Sequence, residues 1–502
     1  MENKSDQLIK KDNLRWWVLL TVIVGTFLGR LDQSIVNLAL PSIINDFSIT
    51  ISSAGWIATA YIIANAVFVP IWGKLGDTIG RKKVYIFGFG IFIFGSVLAG
   101  LAWSLNSLIV FRIIQAIASS ADYPTAMAII AVTFRTGKER AQALGIWSAS
   151  FASAAVFGPL IGGPLIDNFG WRSVFLINLP IGIIGMIMAI KFVNESVSEK
   201  KTHRFDIFGA LTLGIFLSSV VLVLEKGLDW GWTSTNAIIC YLVAIISMTL
   251  FIKIENHHKE PLVDFKFFKN KIFMGGLSNN FIVFLAMMGA IFLIPLFAQN
   301  FLGYTATQTG VLFIPMAFMM LIAAQIGGRF VGKVRAHIMI AISTFIAAIG
   351  IFLFSVMLDP RSGPLDVIIP LSIFSFGMGL AMSQRTSVVA NAVPENEIGV
   401  ASGVLALARN IAGAFGIAIF ATLLNNSINS ALLNTAQNTV IHSTNPFIFQ
   451  QVATLAILHA EMTGYKLVFV VASLFVLVGA ISALFVRMDK GSRDAPAVHV
   501  EG

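Results

Sequence analysis

Charge and cysteine are the scarcest features of this sequence. One cysteine, Cys240, stands among 502 residues, so no internal disulfide can form. The seven histidines lack ligand spacing, and His257 and His258 are neighbours in a charged segment, which points to a solvated pair rather than a metal site. Acidic and basic residues make up 12% of the chain. Soluble domains carry roughly 25%, so an ordinary soluble fold is excluded. There is no G-x-x-x-x-G-K-S/T phosphate loop and no nucleophile elbow, which argues against an ATP-driven pump and against an enzyme. The net charge of +9 is spread in short basic bursts between apolar runs, with no basic face interleaved with aromatics, so nucleic acid is not an expected partner.

What the chain does have is apolar length. Apolar residues are 57% of it and the mean hydropathy is +0.84. A helix needs roughly 20 apolar residues to cross a bilayer. Such runs lie near 15–40, 52–72, 83–102, 106–132, 141–166, 173–193, 206–225, 235–253, 274–298, 308–328, 337–357, 365–390, 399–424 and 466–487. The expected fold class is therefore an all-α polytopic membrane protein with 14 transmembrane helices. The run after the polar residues 1–14 is too long for a signal segment and is expected to remain as the first span.

With the N-terminus placed in the cytoplasm, Arg172, Lys226, Arg361 and Lys466 fall outside and Arg30, Arg112, Arg385 and Arg409 fall within spans. The remaining Lys and Arg fall on cytoplasmic segments, so both termini, 1–14 and the tail 488–502, are expected inside the cell membrane. Two connections are long: a polar cytoplasmic linker, 254–273, and a nearly uncharged external segment, 425–465. The latter is expected either as an amphipathic hairpin at the outer surface or as an unstructured loop.

Four stretches carry finer information. The first cytoplasmic connection reads G73-K-L-G-D-T-I-G-R-K-K83, where glycines permit sharp reversal and the bases hold the loop at an anionic leaflet. Span one contains L31-D-Q-S-I-V-N-L-A-L-P41, span four R112-I-I-Q115, and span five G158-P-L-I-G-G163, with W171-R and F175-L-I-N-L-P180 following. In these motifs the chain resembles the major facilitator superfamily, and within it the fourteen-span drug:proton antiporters. The likeness runs through L293-I-P-L-F-A-Q-N-F-L-G303 and G399-V-A-S-G403 in the second half. G327-G-R-F-V-G-K-V-R335 is a worn echo of the first loop that lacks its aspartate.

The resemblance implies a 6+2+6 arrangement: an N-terminal bundle at 15–193, two inserted helices within 206–253, and a C-terminal bundle at 274–487. It implies gating roles for Gly73, Asp77, Gly80 and Arg81 in the loop, for Gly158, Pro159 and Gly162 in span five, and for Arg409 in the span at 399–424. The direction of transport, export, rests on the span-five motif; the same residues also describe a small-residue packing seam.

A charge in the hydrocarbon is costly, so each one needs a partner or a wet cavity. Asp32 stands eight residues below the outer end of span one, about 12 Å deep, and Arg112 about 9 Å deep on span four. At similar depth they are candidates for an ion pair in which Asp32 exchanges a proton. Arg30 points away from Asp32 on the helix, and Asp122 is its expected partner by chemistry. Asp122 departs from the small apolar residues usual there, and reads either as a second proton or cation site or as a neutralising partner for Arg30. Arg385, near the inner end, is expected to snorkel. Tyr123, then Asn37 and Tyr61, with Arg30, are the expected cavity residues; Trp56, Trp147, Phe151 and Phe284 are further aromatic candidates.

The expected function is proton-coupled antiport, exporting amphipathic and preferably cationic compounds by alternating access. Its partners would be those small molecules, protons and the lipid bilayer, with no cofactor beyond a proton gradient, and the chain is expected to act as a monomer. A lipid or glycolipid exporter of the same fold is the alternative. A receptor would not need Asp32.

Overall fold

The computed structural model describes residues 4–134, 137–196, 206–258, 261, 263, 265–330, 334–390, 392–393, 398–438 and 446–484. The side chains of Gly73, Asp77 and Phe151, and the tail 488–502, lie outside the described residues. The described chain is helical throughout, because backbone groups in hydrocarbon find partners only within their own segment. The first helices are α1 (Lys4–Phe47), α2 (Ile51–Ile79), α3 (Arg81–Gly100), α4 (Leu105–Ser119), α5 (Asp122–Thr133) and α6 (Gly137–Phe169). Then come α7 (Ser173–Leu176), α8 (Asn178–Phe192), α9 (Ile207–Trp230), α10 (Thr235–His257) and α11 (Lys271–Leu296). The chain continues with α12 (Ala306–Arg329), α13 (Ala336–Met357), α14 (Pro364–Leu380), α15 (Met382–Ala390), α16 (Ile398–Asn438) and α17 (Pro446–Leu484).

Among the described residues, 11 helices are long and apolar enough to cross a membrane. The expected spans near 106–132, 141–166 and 365–390 coincide with α4–α5, α6 and α14–α15. Span four is broken at Ser120 and Ala121, ahead of Pro124, whose ring cannot continue the α4 ladder. The segment 425–465 is neither a separate hairpin nor a loop over most of its length. Instead α16 runs on to Asn438 and α17 begins at Pro446, because Asn, Thr and Gln interspersed with Leu and Ala still sustain a helix that grows from a buried span.

Helices α1–α8 pack on one another, α11–α17 do likewise, and the α9–α10 pair leans on α2 and α16. Glycines set the close approaches: a Cβ at Gly416 would stand 2.0 Å from the Leu285 carbonyl oxygen, so α11 and α16 touch at backbone distance. The outer faces of α9 and α10 expose Phe208, Leu211, Ile239, Ile245 and Ile246, as lipid-facing helices do.

The two ends of the molecule differ. At the end carrying Asp46 and Thr305, one apolar core joins both halves, including Ile35, Leu38 and Ile57 with Phe292, Leu293, Phe313 and Ile417. At the opposite end, carrying Lys83 and Phe134, two cores each draw on one half, Val18, Tyr85, Phe134 and Trp147 in one, and Ile340, Ala381 and Val388 in the other, while a third joins Ile63 and Val67 of the first half to Phe273, Val389 and Val404 of the second through Leu213 and Leu217 of α9. Tyr123 is 44% exposed there, with Met127 exposed one turn on. The halves thus share a core at the Asp46 end, and at the Lys83 end they meet along α9 and part beside Tyr123.

Candidate functional site: a buried carboxylate cage above a second acid

Asp32 on α1 has no exposed surface. Its Oδ2 pairs with Arg112 Nη1 from α4, and its Oδ1 accepts from Asn178 Nδ2 at 2.7 Å and from Gln115 Nε2 at 3.3 Å. Gln115 also accepts from Arg112 at 3.0 Å and donates to Ser96 Oγ on α3 at 2.6 Å. The Tyr61 ring lies 4.1 Å from the guanidinium carbon and the Phe175 ring 5.7 Å from it. Five helical elements therefore converge on one carboxylate, and the cation is held by an acid on one side and an aromatic face on the other. Such a pair is sustained by the hydrogen bonds around it, and removing either partner leaves an uncompensated buried charge.

The second acid, Asp122, begins α5 beyond the break in span four. Its Oδ2 accepts from Thr26 Oγ1 at 2.7 Å, and the same hydroxyl accepts from Trp147 Nε1 at 2.8 Å. Arg30 donates to Gln33 at 3.2 Å on its own helix and lies within electrostatic reach of Asp122. Tyr123, one residue on, packs its ring 5.4 Å from that of Trp147. Across the parting stands Arg409, close enough to Tyr123 for a Coulombic interaction. Its guanidinium donates to Asn280 Oδ1 at 3.2 and 3.0 Å and sits 4.9 Å from the Phe284 ring. An aromatic and cationic wall in one half thus faces the exposed Tyr123 of the other, with Asp122 set behind it.

The expectation that Arg385 snorkels is corrected: it is 2% exposed and donates to Thr344 Oγ1 at 2.7 Å and to the Met378 carbonyl at 3.3 Å. Its side chain turns inward to these acceptors, where helix α13 offers a hydroxyl, and away from the headgroups. Asn37 is partly buried, while Tyr61 is 1% exposed and belongs to the cage wall.

The span-five motif divides its work between two neighbours. A Cβ on Gly158 would meet Ser34 Oγ at 2.4 Å and one on Gly162 would meet Ile35 at 2.7 Å, so these two face α1. Gly163 meets the Thr307 backbone at 2.5 Å, and Gly310 meets the Pro159 carbonyl oxygen at 2.5 Å, so Pro159 and Gly163 face α12 in the other half. One turn further along, Asp167 accepts the Ala306 and Thr307 amides at 3.0 and 2.9 Å, capping α12 across the joint. Burial pushes the Asp167 carboxyl up, but the Thr307 side chain, these amides and Thr305 outweigh it and hold it below its ordinary value. Gln299 Nε2 donates to the Leu38 carbonyl at 2.8 Å, a second polar tie between the halves.

At the other end, Gly80 turns with φ of 115°. Glu195, past α8, accepts the Lys82 and Lys83 amides at 3.0 and 3.2 Å, and Arg81 N donates to the Ser196 carbonyl at 3.0 Å. A Cβ on Gly80 would stand 2.4 Å from the Glu195 carboxylate, so the glycine admits this cap. Glu195, Asp167 and Thr26 do not stand out in the sequence as site residues, and Asn178 and Gln115 do so only as members of longer motifs. For Glu195 the signal was a lone acid after a span, opposite a basic loop; for Thr26 there was none, since a hydroxyl in an apolar helix usually bonds its own backbone.

A helical membrane protein with polar groups buried between two halves that part at one end is built as a transporter. The chain belongs to the Major Facilitator Superfamily, whose family model matches residues 22–417. It is 34% identical to the multidrug transporter protein MdtP of Bacillus subtilis, over 83% of this chain and 76% of that one. It is 31% identical to the multidrug resistance protein Stp of Mycobacterium tuberculosis, over 82% and 77%. It is also 32% identical to the riboflavin transporter RibZ of Clostridioides difficile, over 82% and 89%. In fold it is similar to an inward-facing, unoccupied bacterial homolog of the human lysosomal transporter Spinster, with a TM-score of 0.65, 17% identity, and coverage of 95% of this chain and 99% of that one.

Proposed function

We propose that this transporter exports amphipathic, preferably cationic, compounds in exchange for protons. The observation that carries the reading is Asp32: a carboxylate with no exposed surface, held against a single arginine, in a protein of a transporter family whose named relatives handle drugs. Protonating Asp32 removes the charge that holds Arg112 and frees the helices that meet there, which biases one arrangement of the halves over another. The basic loops place the Lys83 end in the cytoplasm with both termini. On that orientation the molecule is open inward, with substrate entering between Tyr123 and Arg409. The helices are read as 6+2+6, with α9 and α10 as the inserted pair.

Recognition of cations is given to Asp122, whose neighbour Tyr123 is exposed at the parting and packs on Trp147. Arg409 supplies an opposing positive charge, and the balance of the two decides which substrates bind. The test is transport in reconstituted vesicles with an imposed pH gradient, with a lipophilic cation, a neutral drug and a labelled lipid compared side by side. The cation should accumulate with the gradient in the wild type and not in Asp32→Asn. Gradient-driven accumulation that persists in Asp32→Asn removes the proposed role, and transport of the lipid alone favours a lipid exporter.

A further inference from the structure

Proton antiport, on which this inference rests, requires a proton to reach a carboxylate that has no exposed surface. A cavity of about 30 Å³ opens directly beneath the cage, lined by Gly25, Gly29, Tyr85, Phe92, Ser119 and Asp122 among others. About 10–15 Å³ suffices for one water molecule. Gly29, Phe92 and Ser119 each stand one helical turn on the Lys83 side of a cage residue: Asp32, Ser96 and Gln115 respectively. Three different helices therefore agree that the cavity roof is about one turn, roughly 5 Å, from the cage floor.

The void exists because side chains are withheld from it. A Cβ added at Gly29 would meet nothing within 4 Å, and one at Gly25 would come within 3.1 Å of Asp122 Oδ1. That oxygen is buried with no donor inside full hydrogen-bond distance among the described residues, the Tyr85 hydroxyl lying near the same carboxyl, while its partner oxygen is taken by Thr26. An orphaned acceptor on a void of this size is the setting in which a buried water is held. The wall is also joined to the cage: Ser119 Oγ receives Tyr61 Oη at 2.7 Å and Asn65 Nδ2 at 3.1 Å, and the Tyr61 ring supports Arg112.

We infer that this cavity is a hydrated proton relay between Asp122 and Asp32, and that Gly29 is its throat. A proton leaves the Asp32 carboxyl for cavity water as that water gives one to the Asp122 carboxylate; one proton moves and no charge stays on the water. The other titratable or charged groups facing the route are Tyr85 from α3, Tyr61 from α2, Arg112 from α4 and Arg30 from α1. Asp122 is partly exposed and Tyr123 beside it is 44% exposed. Asp122 is thereby the acid that passes the proton on toward the open side, and Asp32 the one that carries it.

The experiment fills the throat. Purified wild type, Gly29→Val and Gly29→Ser are mixed with tetraphenylphosphonium in weakly buffered detergent, following binding by tryptophan fluorescence and proton release by a pH dye in stopped flow. Gly29→Val should bind with wild-type affinity and release its proton at least tenfold more slowly, and Gly29→Ser, whose hydroxyl can join the wire, should stay within about threefold of wild type. Should Gly29→Val misfold, Gly29→Ala replaces it, with a smaller slowing expected. Equal release rates in the wild type and the filled variant overturn the relay while leaving antiport intact. A wild type that binds the cation without releasing any proton overturns antiport itself, and the relay with it.

Discussion

The two halves of this transporter treat buried charge differently. In the first, Arg112 is neutralised by Asp32 within a cage of Gln115, Asn178 and Ser96, with Asp122 one level below. In the second, Arg385 and Arg409 are buried or nearly so, and their hydrogen-bond acceptors among the described residues are neutral: Thr344, the Met378 carbonyl and Asn280. Removing a proton changes the first half's charge balance and leaves these contacts of the second half alone. On the proposed antiport, this asymmetry gives ion handling to the first half and leaves the second to supply a fixed positive wall.

The largest test of this contrast pairs Arg112→Ala with Arg385→Ala. Stranding Asp32 should cost about 3–5 kcal/mol, read as a lowered thermal unfolding midpoint in detergent. Removing Arg385 breaks only bonds to neutral acceptors and should cost about 1–3 kcal/mol. Equal losses would erase the asymmetry. Next in size is Asp122→Asn, which should weaken binding of a lipophilic cation about tenfold and spare binding of a neutral substrate; an equal effect on both affinities takes Asp122 out of recognition. Arg409→Gln should shift selectivity in the opposite direction, improving cation uptake severalfold, because an opposing charge is removed from the facing wall.

The smallest effect concerns the seal at the Asp46 end. The Asp167 carboxyl is held below its ordinary value by the α12 amides and threonines. Its grip is therefore complete above the ordinary carboxylate range and is lost as pH falls through the depressed value. Spin labels on α6 and α12 should separate more readily in acid, and Asp167→Asn should show that separation with little further dependence on pH in that range. A wild type whose labels do not respond to acid would mean the apolar core closes this end unaided.

Much of the architecture was legible in one dimension. Long apolar runs gave helix positions to within a turn for α3 and α13, since crossing a bilayer leaves the backbone no other conformation. Depth arithmetic put Asp32 and Arg112 at one level. Rotation about the helix axis was not readable that way, so Asn178, 146 residues from Asp32, and Thr26, 96 residues from Asp122, were invisible as partners. Arg385 was misjudged for the same reason: its distance from a span end says nothing of a hydroxyl on the neighbouring helix. The 425–465 segment failed differently, because polar composition was taken as a stop signal where a buried span already supplied the helix nucleus.

By itself, then, the sequence determined that this chain is a helical membrane protein of a transporter family, and which charges it carries into the hydrocarbon. Those follow from composition and spacing, which are local. Only the tertiary structure decided that Asp32 is wholly enclosed, that Gly163 and Asp167 grip the opposite half, and that a void bounded by Gly29 and Asp122 lies one turn from the cage. Enclosure, grip and emptiness are relations between helices distant in sequence, and they are set by how side chains of different sizes pack.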